Sequence, residues 1–275
     1  AKSYGVPAVI TKTVRDELLA AVDDMYNSSG TPIVDALHEA ALYYRGDDVL
    51  KGINRGTNSS DKKRYDRASH PDSYIAGTGT HYYPPGCTTD DLNSSACVGE
   101  SITGSPIYDS PIKQECQPNN IILLSDGAAY QNTTASAIRT LTGVSSCADS
   151  GVEACGPELA KFLFEQDQSL LDGDQKIKTF TIGFNNSDPY LQRISDAGTG
   201  ATTSGSAHYL SNTASELLAN FKEIFEVALD VDSTFVSPGV TVNNFNRLNH
   251  RDELYFSLFS PNTHPNWGGN LKRYR

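Results

Sequence analysis

Residues 119–130 read Asn119-Asn120-Ile121-Ile122-Leu123-Leu124-Ser125-Asp126-Gly127-Ala128-Ala129-Tyr130. The aliphatic run from Ile121 to Leu124 is too short for a helix and lacks polar alternation, so it predicts a central strand covered on both faces. It stops at Ser125-Asp126-Gly127, setting a carboxylate just past the carboxyl end of a buried parallel strand. Open α/β sheets bind their ligands there, at a switch in strand order. Gly127 permits the tight turn. Mg²⁺ is held by carboxylates, hydroxyls and waters, which makes Asp126 a candidate donor. Taken alone, Ser-Asp-Gly is first of all a strand-ending turn.

Working outward, a second strand is expected at Ile177–Phe184, where Phe180, Ile182 and Phe184 alternate, and a short one at Ala207–Leu210. Helices separate these segments. Thr13–Tyr26 carries Val14, Leu18, Val22 and Met25 at helical spacing, with Thr13 and Asp16 as a capping pair. Pro32 suits a first helical position, with Thr31 as the cap before it and Ile33, Leu37, Ala40, Ala41 and Tyr44 as the inner stripe. The Thr31 hydroxyl, at a helix start facing the strand ends, also stands where a metal-bound water or ligand oxygen could sit. Further helices are expected at Thr133–Leu141, from Pro157 through Leu159, Phe162, Leu163 and Leu170, and from Pro189 to about Ala197. Thr213 and Glu216 form a capping box for a long helix with Leu217, Phe221, Ile224, Phe225 and Ala228 on one face. Strands alternating with helices predict an α/β fold with a doubly wound, mostly parallel sheet, spanning residues 1–230.

Residues 46–118 break this grammar. They are polar and turn-forming, with Tyr65, Tyr74, Tyr82, Tyr83 and Tyr108 interspersed. Such a long loop is either functional or an inert insertion. Tyrosines among Ser, Gly and Asn make an adaptable contact surface, so these five are candidate partner-binding residues. Past Asp230 the helices cease. Ser233–Val236, Val240–Asn243 and Leu254–Phe259 read as short β runs, Pro238-Gly239 as a turn, and Trp267–Tyr274 as a strand with nothing to pair against. Residues 231–275 are thus expected to be a β connector leading into a β domain.

The 275 residues carry a formal net charge of -11, with a pI near 4.9. That charge repels phosphate backbones and anionic lipid heads and argues against nucleic acid as a partner. The local exception is Lys51–Arg67, read as a solvated basic loop. No apolar stretch approaches the ~18 residues of a membrane span. No Met precedes Ala1, as expected of a processed product or a piece of a longer chain.

Five cysteines, Cys87, Cys97, Cys116, Cys147 and Cys155, lie in polar, turn-rich stretches and match no zinc spacing. Loop cysteines outside a core suggest an oxidising compartment. The expected pairs are Cys147 with Cys155 and Cys87 with Cys97, each closing a short loop for about 2 to 3 kcal/mol. Cys116 is left over, unless the connectivity differs. The six histidines are scattered, and His38, on a helix, is expected to face solvent. No Gly-x-Ser-x-Gly elbow, phosphate-binding glycine loop or His-Glu-x-x-His is present, so no enzyme is expected.

Gly30-Thr31-Pro32-Ile33 opening a helix, the Ile121–Gly127 strand end and Phe180-Thr-Ile-Gly-Phe184 occur in an order that resembles the von Willebrand factor A domain. That resemblance implies a metal-ion-dependent adhesion site with Thr31 and Asp126 as ligands for Mg²⁺ or Ca²⁺. The family's Asp-x-Ser-x-Ser motif does not occur in the chain; its place would be before Thr13. A broader set looks like the PilY/PilC family of type IV pilus tip proteins: Cys116 before the Ser-Asp-Gly strand, Gly156-Pro-Glu-Leu-Ala-Lys161, Phe235-Val-Ser-Pro-Gly-Val240, Leu254-Tyr-Phe-Ser-Leu-Phe259 and Trp267-Gly-Gly-Asn-Leu-Lys272. In that family an A-type domain precedes a β-propeller. The resemblance implies an exported, cell-surface adhesion and pilus-biogenesis factor whose partners are minor and major pilin subunits and a surface receptor. The alternative is a metal-free adaptor that caps the filament by docking on pilins.

Overall fold

The computed structural model describes residues 13–23, 30–54, 68–88, 95–115, 117–201, 207–229, 235–240, 254–260 and 268–274. They fall into two units, Ala1–Lys222 and Glu223–Arg275. The boundary lies inside the last helix rather than at Asp230.

The first unit is built on a parallel sheet of β3 (Asn119–Ser125), β4 (Ile177–Phe184) and β5 (His208–Ser211), in that order. It is a mixed α/β arrangement, as expected. Asn119 aligns with Ile177 and Ser125 with Gly183, while Gly183 aligns with Leu210, so the three strands end along one rim. Helices α2 (Ile33–Arg45), α3 (Ala135–Thr142), α4 (Gly156–Glu165) and α5 (Pro189–Thr199) gather on one core with Ile121, Leu123 and Ile177. Its centre is aliphatic and fully closed at Leu37, Ile138, Leu159, Leu163, Leu191 and Ile194. Gly198 lets α5 lie against β4, since a Cβ there would stand 2.7 Å from that of Thr179.

Two expectations about β3 are corrected. Among the described residues it lies at the edge of the sheet, with β4 its sole partner, and the order β3-β4-β5 shows no reversal. Ile121, Ile122 and Leu123 are half-buried and Leu124 is 46% exposed, so the aliphatic run is not covered on both faces.

Reciprocal caps form where they were expected. Asp16 N–H donates to Thr13 Oγ1 at the start of α1 (Val14–Asp23), and Thr13 N–H donates back to the Asp16 carboxylate. Glu216 and Thr213 do the same for α6 (Ala214–Leu229). Two residues of the stripe expected in α1 are not buried: Leu18 is 62% and Val22 60% exposed. Met25 lies outside the described residues. Leu170 lies beyond the end of α4 and is fully exposed. Ile224 of α6 is buried, whereas Phe225 is exposed. His38 is buried on α2 rather than solvent-facing, because it follows Leu37 onto the same side of the helix as Val34 and Ala41.

The long insertion is folded. Strands β1 (Gly79–Tyr82) and β2 (Ser101–Gly104) make an antiparallel pair. Tyr74 and Tyr108 bridge each other and are buried with Val49, Ala68 and Ile102 in a small separate core. Aromatic rings expected at a surface instead supply the apolar volume that lets this polar segment fold. Glu39 of α2 pins it in place, accepting from the backbone of Leu50, Lys51 and Gly52 and from the Tyr108 hydroxyl at 2.7 Å.

In the second unit β6 (Phe235–Val240), β7 (Leu254–Ser260) and β8 (Gly268–Tyr274) form an antiparallel sheet in chain order. Residues 268–274 therefore do pair, against Leu254–Ser260. Pro238-Gly239 runs through β6 rather than turning, opposite Phe256 and Tyr255; among the described residues β6 lies at the edge of its sheet, where proline is tolerated.

Candidate functional site

Three loops converge where the parallel strands end. The first is Gly30-Thr31-Pro32, entering α2. Thr31 was expected to cap this helix, but Pro32 takes the cap position and makes no side-chain bond. The Thr31 carbonyl receives Ile33 N–H at 2.9 Å and Tyr130 N–H at 3.0 Å. Its hydroxyl instead faces the second loop, 3.5 Å from where a Cβ would sit on Gly127.

That second loop is Ser125-Asp126-Gly127. The Ser125 hydroxyl folds over it, donating to Gly127 C=O at 2.7 Å, and the Asn186 amide donates to the same carbonyl at 2.8 Å. Asn186 belongs to the third loop, after β4. Asn185 there adopts a left-handed φ of 49°, which Asn tolerates better than most residues. The loop turns back so tightly that a Cβ on Gly183 would lie 2.0 Å from the Asn186 carbonyl oxygen.

Asp126 is exposed and forms one wall of a cleft of about 300 Å³ with Leu124, Phe184 and Leu217. An exposed carboxylate beside an apolar recess suits a partner that presents a cation, or a bridging divalent ion, next to an apolar side chain. Thr31 and Asp126 thus belong to one rim. Among the described residues, Asp126 joins no group of three His, Cys, Asp or Glu ligand atoms within mutual reach; the group that does form is Cys87, Cys97 and Glu100 in the insertion.

Two supports of this rim escaped the sequence reading. Asp35, in the first turn of α2, is 6% exposed and accepts from the backbone and hydroxyls of both Thr133 and Thr134 at 2.8 to 3.1 Å. Burial alone would raise its carboxyl, but the threonine hydrogen bonds and Lys51, 3.5 Å away, prevail and hold it below the usual carboxylate range. Asn186 is the other. An acidic residue in a first helical turn, and Asn-Asn after an apolar strand, were the available signals.

The tyrosine candidates separate. Tyr74 and Tyr108 are buried and so leave the contact surface; Tyr83 is half-buried, stacked on His81 with ring centroids 4.1 Å apart; Tyr82 is 53% exposed. Tyr65 and Cys116 lie outside the described residues, as does the basic stretch apart from Lys51 to Asn54. Cys87–Cys97 and Cys147–Cys155 are disulfide-bonded, with Cα separations of 4.7 and 5.0 Å. Both pairs match the expectation and fit an oxidising, exported environment. Among the described residues no helix is long and apolar enough to cross a membrane.

Comparison with protein families, characterised proteins and solved structures returns no match.

Proposed function

We propose that this chain is a non-enzymatic adhesion and biogenesis module of a type IV pilus tip, built on a von Willebrand factor A-like domain. It works at the cell surface and binds protein partners through the carboxyl rim of the parallel sheet. The observation that carries this reading is the convergence of the Thr31 hydroxyl and the Ser125-Asp126-Gly127 turn beside one apolar cleft. In it Asp126 and Thr31 contribute to a Mg²⁺ or Ca²⁺ site that engages pilin subunits or a surface receptor, with Tyr82 and Tyr83 as additional contacts. The pilus assignment rests on the sequence motifs.

The absence of a third ligand group beside Asp126 among the described residues favours a second reading, a metal-free adaptor docking on pilins. Binding of the purified chain to immobilised pilin subunits, with and without a chelator, separates the two. Under the first reading Asp126→Ala and the chelator each lower affinity at least about tenfold, the loss of a charge-assisted contact. Retention of binding in both conditions selects the adaptor. A chain that binds no pilin subunit in either condition contradicts the adaptor and the engagement of pilin by this rim.

A further inference from the structure

The insertion holds a cluster that the strand-end rim does not use. Glu100 is 1% exposed, Cys97 is fully buried and Cys87 nearly so. Their ligand atoms, two sulfurs and a carboxylate oxygen, all lie within 4.8 Å of one another. Local geometry brings them together. Glu100 N–H donates to Cys97 C=O, so Cys97-Val98-Gly99-Glu100 is a turn that sets its first and last side chains on one side, as a two-residue spacer does in metal-binding loops. Cys87, near the start of the same β1–β2 connection, is held beside them by the disulfide.

Glu100 is also oriented from behind. His81 Nε2 lies 2.8 Å from Glu100 Oε1, the two side chains 7% and 1% exposed, and His81 Nδ1 lies 3.2 Å from the Tyr74 hydroxyl. A neutral imidazole satisfies both contacts, donating from Nε2 to the carboxylate and accepting from Tyr74 at Nδ1. Metal-binding carboxylates are characteristically hydrogen-bonded in this way. The second disulfide has no such company: no third ligand atom joins Cys147 and Cys155 among the described residues.

We propose that the Cys87–Cys97 pair is a redox-gated zinc site: when the disulfide is reduced, Cys87, Cys97 and Glu100 bind Zn²⁺, with His81 positioning the Glu100 carboxylate. A dithiol reductant transfers two electrons and two protons to the disulfide, giving two thiols and a cyclic disulfide of the reductant. Zn²⁺ then displaces the two thiol protons, forming two Zn–S bonds and releasing two protons to solvent. Two thiolates and a carboxylate suit this borderline ion, and tetrahedral ligands about 2.3 Å from zinc stand roughly 3.8 Å apart, within reach of the present arrangement. A disulfide oxidant reverses this by exchange, taking up the two electrons and two protons to become two thiols while the Cys87–Cys97 bond reforms and Zn²⁺ is released.

Cobalt(II), added to the full chain reduced by a phosphine, is the test, read by its sulfur-to-metal charge-transfer absorption and by competition with Zn²⁺. The reduced chain is expected to bind one equivalent, the oxidised chain none, and a Cys147→Ser/Cys155→Ser variant to bind as the parent does. Glu100→Gln and His81→Gln are each expected to weaken binding about tenfold or more. An absent band, or an equal band in Cys87→Ser/Cys97→Ser, overturns the proposal. So does binding indifferent to Glu100, which is how a reduced chain that had simply unfolded would behave.

Discussion

The Thr31 hydroxyl stands 3.5 Å from the point where Gly127 would carry a Cβ, although the two residues enter the fold on different elements. The hydroxyl is therefore directed to the strand-end rim and not back onto its own helix. Thr31→Ala is expected to change stability by less than about 0.5 kcal/mol, as a surface substitution does, where loss of a helix cap would cost about 1 kcal/mol. Urea denaturation of the two proteins measures the difference.

Gly183 sits under the third loop. A Cβ there would meet the Asn186 carbonyl oxygen at 2.0 Å and its carbon at 3.2 Å, both backbone atoms that cannot rotate away. Gly183→Ala is expected to cost about 2 kcal/mol and to break the Asn186 bond to Gly127. Thermal melts report the first effect, and loss of the Asn186 amide resonance position in NMR spectra the second.

Asp35 ties α2 to the loop before α3. Removing it takes the acceptor from the Thr133 N–H and from both threonine hydroxyls, while the Thr134 N–H keeps Asn132 Oδ1 at 3.1 Å, so Asp35→Ala is expected to cost about 3 kcal/mol and Asp35→Asn less. Its carboxyl is held below the ordinary value, so the stability it contributes is present above about pH 4 and is lost as pH falls through the folded-state value. Denaturant midpoints across that range check the sign, with Asp35→Asn showing the shallower acid dependence.

Burial pushes the His38 imidazole below its ordinary value, against the pull of the Glu39 and Asp35 carboxylates, and its buried Nδ1 makes no hydrogen bond. The folded state therefore binds this proton less readily than the unfolded chain. Stability from this group is complete above about pH 6.5 and declines as pH falls below it. His208 acts in the same direction, its half-buried ring beside the Thr181 hydroxyl at 2.8 Å. A His38→Leu variant is expected to lose part of the fall in melting temperature between neutral and mildly acidic pH. An unchanged profile would place the acid sensitivity elsewhere.

Local chemistry was legible where partners are close in sequence. The reciprocal caps Thr13/Asp16 and Thr213/Glu216 depend on a three-residue spacing, and the disulfides close short loops. The apolar runs of β3 and β4 announced their strands. The rim was partly legible, since Thr31 and Asp126 each stand at an element boundary, but Asp35 and Asn186 act through contacts remote in sequence. The insertion was opaque for the same reason: Glu39 reaches Tyr108 across 69 positions, and Tyr74 finds Tyr108 across a polar segment with no periodicity. The partial exposure of β3 was hidden because an aliphatic run reports apolarity and says nothing of which neighbours are there to cover it.

Hydrogen–deuterium exchange of the chain bound to a pilin subunit tests the binding rim most directly. Protection is expected in the segments 125–132 and 185–188, around Asp126 and Asn186, with lesser protection near Tyr82. Protection confined to other surfaces, with the strand-end loops exchanging as in the free chain, would contradict the account.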